Sequence, residues 1–277
     1  MKNVDIAFIG GGNMARSLIG GLIADGVKPA RIWVADPDQA NLREHQSHFG
    51  VHTTTDNSQA AQQAQVIVLA VKPQVAKAAA QALSNALRDR PVLVISVAAG
   101  IRETHLRSWL GEETAIVRCM PNTPALVGSG ATALFANLNV TTEQQDLAES
   151  ILRAVGMTLW VDDEDLMDAV TALSGSGPAY FFLVMEAMEQ AGVALGLSQQ
   201  TARLLTLQTA FGAAKMALES TENVAALRRR VTSPGGTTEQ AIKVLEEHGL
   251  AASFEQALRA ARQRSIDLAN LFGGEKQ

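Results

Sequence analysis

The chain has 277 residues, 47% of them hydrophobic and 18% charged, which suits a folded protein with room for two domains and excludes a disordered chain. A formal net charge of −5 and a pI near 5.6 argue against a surface for nucleic acid or anionic membrane. Cys119 is the only cysteine, which excludes an internal disulfide and any paired-cysteine metal or redox site.

Val4 to Ile9 reads as an apolar strand running into "GGGNMARSLIGGLIADG", a helix that closes at Gly26. Gly10, Gly12 and Ala15 form G-x-G-x-x-A at that junction: a glycine for the tight turn, one for close approach of a pyrophosphate, and a small residue for helix–strand packing. "RIWVAD" is a second strand, ending in Asp36. A carboxylate there can accept hydrogen bonds from the ribose hydroxyls of NAD and repel a 2′-phosphate; the alternative is a cap on a helix beginning near Pro37. His45 and His48 share the predicted face of that helix and, with no third ligand near, read as solvated, so no metal site is expected.

"VIVLAV", "VLVISV" and "AIVRCM" are further Val- and Ile-rich runs, apolar on both faces, with the helix "PQVAKAAAQALSNAL" among them. Such strands belong to a parallel sheet covered on each side. "AVKP" (Ala70 to Pro73) and "AAG" (Ala98 to Gly100) close two of these strands, where ligands of such sheets sit. In "RCMPNTPA", Asn122 and Thr123 lie between two prolines, either at a nicotinamide edge or in a plain turn. "ATALFA", the helix "TEQQDLAESILRAVG" and "MTLWVD" complete the strand-containing part.

After Asp163 only helical patterns follow. "SGSGPAY" (Ser174 to Tyr180) is a small-residue break between two of them, a helix corner or a loop over a ligand. The next helix, "AYFFLVMEAMEQAGVALG", is apolar nearly all round, which implies packing against another subunit; Glu186, Glu189 and Gln190 disqualify it as a membrane span. The triple Arg228-Arg229-Arg230 reads as a solvated helix end. Before the next helix stands "TSPGGTTEQ": Pro234, Gly235 and Gly236 shape a turn, and Thr237 with Gln240 reads as a capping box. Its unpaired N–H groups suit an anion, with an ordinary capped helix as the alternative. The expected organisation is a doubly wound, Rossmann-like α/β domain over 1–162 and an all-helical dimerisation domain over 163–277. With no signal-peptide pattern at the start, a cytoplasmic protein is expected.

Together "FIGGGNMA", "AVKP", "RCMPNTPA", "AVTALSGSGPAYFF" and "VTSPGGTTEQAIKVLE" resemble the pyrroline-5-carboxylate reductase family, in order and spacing, over nearly the whole chain. The resemblance implies reduction of a cyclic imine, 1-pyrroline-5-carboxylate, to L-proline, by NADPH, with NADH as a second cofactor. It implies a cofactor site on Ile9, Gly10, Gly11, Gly12, Asn13, Met14, Asn57, Ala70, Val71, Lys72, Pro73, Ala98, Ala99 and Asn122, to which Asp36 is added by its place after the second strand, although its carboxylate argues against the 2′-phosphate of NADPH. The substrate carboxylate would lie on Ser176, Ser233, Gly235, Gly236, Thr237 and Thr238, with the Thr238 hydroxyl near the ring nitrogen as the catalytic group. A homodimer, or a higher oligomer built from dimers, follows from the same resemblance. Hydride transfer to a protonated imine needs positioning more than a strong base or metal.

Overall fold

In the computed structural model, which describes residues 3–88 and 90–273, the first part of the chain builds an eight-stranded sheet. Its strands are β1 (Ile6–Ile9), β2 (Ile32–Ala35), β3 (His52–Thr54), β4 (Val66–Leu69), β5 (Leu93–Ser96), β6 (Ala115–Met120), β7 (Gly130–Ala136) and β8 (Gly156–Trp160). The order β3-β2-β1-β4-β5-β6-β7-β8 reverses direction beside β1, the switch point where dinucleotides bind in such sheets. Six helices accompany the strands: α1 (Asn13–Ala24), α2 (Gln39–Phe49), α3 (Asn57–Gln62), α4 (Pro73–Leu87), α5 (Glu103–Leu110) and α6 (Thr142–Arg153).

Alternation along β1 shows why the runs are apolar throughout. Ile6 and Phe8 join a core with Leu18 and Leu22 of α1 and Ile151 of α6. Ala7 and Ile9 face the other way, into a core with Ala60 of α3, Ala76 and Leu83 of α4, and Leu106 of α5. With both faces covered, a polar side chain at any of these positions would lose its water.

The sheet is not wholly parallel. β6 and β7 pair antiparallel, a feature absent from the doubly wound pattern read in the sequence. Residues 121–129 between them hold only a 3₁₀ turn, Thr123–Val127, too short a link for a parallel crossover. β7 and β8 are parallel again, because α6 supplies the crossover.

The helical part comprises α7 (Leu166–Val170), α8 (Gly177–Ala194), α9 (Gln199–Glu219), α10 (Val224–Arg230), α11 (Thr237–Glu247) and α12 (Leu250–Gly273). The small-residue stretch is not the break expected of it. Thr171–Gly175 forms a π-helical turn running directly from α7, and α8 starts two residues on. A Cβ on Gly175 would meet the terminal methyl of Met120, the end of a flexible side chain. By contacts the chain groups into two compact units, one of residues up to Ser176 with those from Ala260 onward, the other of Gly177–Arg259. That grouping puts α7, the π turn and the end of α12 with the sheet, whereas the sequence reading divides the chain at 162.

In the second unit, α8 and α9 pack on each other, with Gly192 closely approached by Ala202. Even so, Phe181, Phe182 and Leu183 of α8 and Leu204, Phe211 and Leu218 of α9 are exposed. Patches of that kind mark an interface rather than a solvated face.

Candidate functional site

Three consecutive glycines after β1 do three different jobs. Gly10 has φ +99°, and a Cβ on it would stand 2.6 Å from the Ala70 carbonyl oxygen, so the turn requires glycine for shape. Its N–H donates to Ala35 O at 2.8 Å. Gly11 is buried, with its N–H donating to Asp36 Oδ2 at 2.7 Å and its carbonyl 2.8 Å from His45 Nε2. Gly12 is exposed, and a Cβ on it would meet nothing within 4 Å. As the N-cap of α1 it offers no side-chain cap, and no acidic residue occupies the first turn. The α1 N-terminus therefore points free N–H groups and its positive dipole end into open space, a cradle suited to a phosphate.

That space is part of a cleft of about 570 Å³ at the carboxyl ends of β1, β2 and β4. Gly10, Gly12, Asp36 and Asn57 of the sequence-predicted cofactor residues border it, as do Ala70, Val71 and Lys72. Pro73 opens α4 at its first position, where its missing N–H costs nothing. Ile9 is buried at the end of β1, and Asn13 and Met14 open α1. Ala98 and Ala99 follow β5 and are buried and half-buried. Asn122 has an internal role: its Oδ1 accepts the Ala131 N–H at 2.9 Å, and its Nδ2 lies 3.3 Å from Ser174 O and Oγ. It thus ties the loop after β6 to the π turn that precedes Ser176.

Two readings from the sequence need correction here. Asp36 is not the cap of the following helix. That helix starts at Gln39, and Asp38 caps it by accepting the Ala40 N–H at 2.7 Å. Nor is His45 solvated. It is 1% exposed, because its helix face turns toward the glycine turn.

In the second unit, Ser233, Gly235, Thr237 and Thr238 are exposed and Gly236 half-buried. Gly235 has φ +72°, which favours glycine, and Gly236 is the N-cap of α11. The expected capping box does not form, since the α11 cap carries no side-chain hydrogen bond. Glu239 instead reaches back, its Oε2 accepting the Gly235 N–H at 2.8 Å. The Gly236 N–H donates to Ser233 O at 3.0 Å. Thr237 and Thr238, in the first helical turn, have no intrahelical acceptor for their N–H groups. At the end of α10, Arg228 pairs with Glu246 and Arg230 with Glu222, all exposed.

A glycine turn and an uncapped helix start at the switch point of a doubly wound sheet, in a chain that continues into helices with bare apolar faces, fit the layout of two-part dinucleotide-dependent oxidoreductases. The family model for pyrroline-5-carboxylate reductase dimerisation matches residues 164–268, and that for NADP oxidoreductase, coenzyme F420-dependent, matches residues 5–100. The chain is 54% identical over 273 residues to a pyrroline-5-carboxylate reductase of Pseudomonas aeruginosa, covering 99% of this chain and 100% of that one. The chain belongs to the pyrroline-5-carboxylate reductase family and is an NAD(P)H-dependent reductase of that imine. Among solved structures, the family's enzyme from Coxiella burnetii superposes with a TM-score of 0.93 at 52% identity, over 96% of this chain and 98% of that one. That from Plasmodium falciparum, solved with NADP bound, superposes at 0.86 with 30% identity, over 97% and 99%.

Proposed function

We propose that the glycine turn and the cleft above it hold NADPH, with NADH as a second cofactor, and that the turn before α11 holds the carboxylate of 1-pyrroline-5-carboxylate. The single observation that carries the cofactor half is the open space over Gly12 at an uncapped helix start. The cofactor, when bound, supplies the hydride that reduces the imine carbon. The protein's own groups bind and orient. The N–H groups of Thr237 and Thr238 receive the substrate carboxylate, favoured by the α11 dipole. Because the N–H groups of Gly235 and Gly236 are engaged within the turn, these two glycines serve by shape. Ser233 shapes the same turn through its carbonyl. The Thr238 hydroxyl is the hydrogen-bond partner of the ring nitrogen, and Ser176 belongs to the substrate side. The product is L-proline.

The assembled enzyme is a homodimer, or a larger oligomer built from dimers, joined through α8 and α9 and located in the cytoplasm. Their exposed Phe and Leu side chains support this. Sedimentation at micromolar concentration should show no active monomer; a well-folded, active one would refute the assembly.

Thr237→Pro tests the substrate half. Position 237 is the first of α11, and Gly236 has extended backbone (φ −82°, ψ 169°), so proline fits there and deletes the N–H together with the side-chain hydroxyl, which Thr237→Val removes alone as the control. KM for the imine should rise about tenfold, the weight of one charge-assisted hydrogen bond, while NADPH affinity stays unchanged. An unchanged KM for the imine would remove the carboxylate from this turn.

A further inference from the structure

We infer that Asp36 and His45 form a two-sided clamp on Gly11, one on each of its two flanking peptide groups, and that Asp36 is a positioning residue for the dinucleotide turn rather than a discriminator at the ribose. The inference rests on the reading of this turn as the cofactor site. Gly11 is the middle of the three glycines, and both of its main-chain polar groups are held from behind the turn. On one side its N–H donates to Asp36 Oδ2 at 2.7 Å. On the other, His45 Nε2 lies 2.8 Å from its carbonyl oxygen. A carbonyl only accepts, so the His45 ring carries a proton on Nε2 and donates it.

The two flanks are in close contact. A Cβ on Gly11 would stand 3.1 Å from His45 Nε2 and 3.3 Å from Asp36 Oδ2, so a side chain there would push these groups aside by a few tenths of an ångström. Asp36 is 8% exposed, and its second oxygen, Oδ1, accepts the Asp38 N–H at 2.8 Å. Although Asp36 borders the cleft, each of its carboxylate oxygens already accepts one main-chain N–H, so a ribose hydroxyl would have to share an oxygen with the turn. His45 has no competing partner, since its buried Nδ1 makes no hydrogen bond. Its ring packs against Phe49, one turn further along α2, with centroids 5.8 Å apart. The adjacent Glu44 pairs with Arg16 of α1 at 2.5 Å, so α2 holds the start of α1 through two neighbouring residues.

The consequence is specific. If Asp36 read the ribose, its charge would set the ratio of NADPH to NADH affinity. If it clamps Gly11, loosening it shifts the turn under the pyrophosphate, which the two cofactors share, and both weaken together.

The test is titration of the purified oligomer with NADPH and with NADH, without imine, followed by nicotinamide fluorescence. His45→Leu and Asp36→Asn should each raise both dissociation constants about fivefold, the weight of one hydrogen bond. The NADPH to NADH ratio should move less than about twofold on the same ground. His45→Gln, whose amide N–H can replace the imidazole Nε2–H, should restore near wild-type affinity, and the imine's KM should not move. Gly12→Val separates the two layers of the argument. It has room for its side chain, so it should fold and lose both cofactors; wild-type binding by this variant would sink the reading of the site itself. With that control behaving, three results overturn the clamp. They are a severalfold tightening of NADPH relative to NADH in Asp36→Asn, unchanged affinity in His45→Leu, or a His45→Gln variant as weak as His45→Leu. Asp36→Asn alone decides the matter if His45→Leu does not fold.

Discussion

Arg118 stands in the middle of β6, a strand covered on both faces, and is 3% exposed. A guanidinium so placed needs an anion, and Glu164 supplies it, with Nη1 to Oε1 at 2.8 Å. The same Oε1 accepts the Glu103 N–H at 2.6 Å, and Glu103 Oε1 accepts from Asn137 at 2.9 Å. Nearby, Arg102 pairs with Asp165, and Ser265 of α12 donates to Asp168 at 2.6 Å. Arg118→Met should therefore destabilise the protein by about 3 kcal/mol, since it strands the mostly buried Glu164 carboxylate, 15% exposed. Urea unfolding of the assembled enzyme measures this, and a loss below about 1 kcal/mol would class the pair with surface ion pairs. From the sequence, "AIVRCM" reads only as an apolar strand, and nothing in it says which acid Arg118 meets. Gly10 and Gly12 could be read by residue type and spacing. His45 could not, because its partner is a main-chain carbonyl 34 positions upstream that carries no side-chain signature. Asp36 was legible as important and ambiguous in role, since a carboxylate after β2 can face a ribose, a helix or the turn before it.

Elements were legible in proportion to how much apolar surface they bury. The runs behind β1, β2, β4, β5 and β6 announced themselves, and α4 occupies the whole of "PQVAKAAAQALSNAL", Pro73–Leu87. β3 and α3 did not, being three and six residues long and mostly polar, with too few apolar positions to set a period. The antiparallel β7 was hidden because strand direction depends on the length and path of the link, not on the strand's own residues. At α11 the hydroxyl-rich start suggested Thr237 and Gln240 as a reciprocal cap. Gly236 took the cap position and Glu239 the reaching role, a shift of one residue that leaves the Thr237 and Thr238 N–H groups free of side-chain caps. Helix start signals fix the neighbourhood of a cap better than its register.

Over the whole molecule, the acidic, cysteine-poor composition and the change from strands to helices set the architecture in advance. Unit boundaries did not follow the change of element type, because α7, the π turn and the end of α12 pack with the sheet. The exposed apolar faces of α8 and α9 were already visible as helices without a polar side, and the family model for dimerisation covers this same region. No helix among the described residues is long and apolar enough to cross a membrane. The reductase couples oxidation of NADPH to reduction of a cyclic imine. The most direct test is a mass balance on the purified oligomer supplied with 1-pyrroline-5-carboxylate and NADPH. L-proline should form mole for mole with NADPH consumed, with no consumption when the imine is omitted. Tight NADPH binding with no proline formed would contradict it.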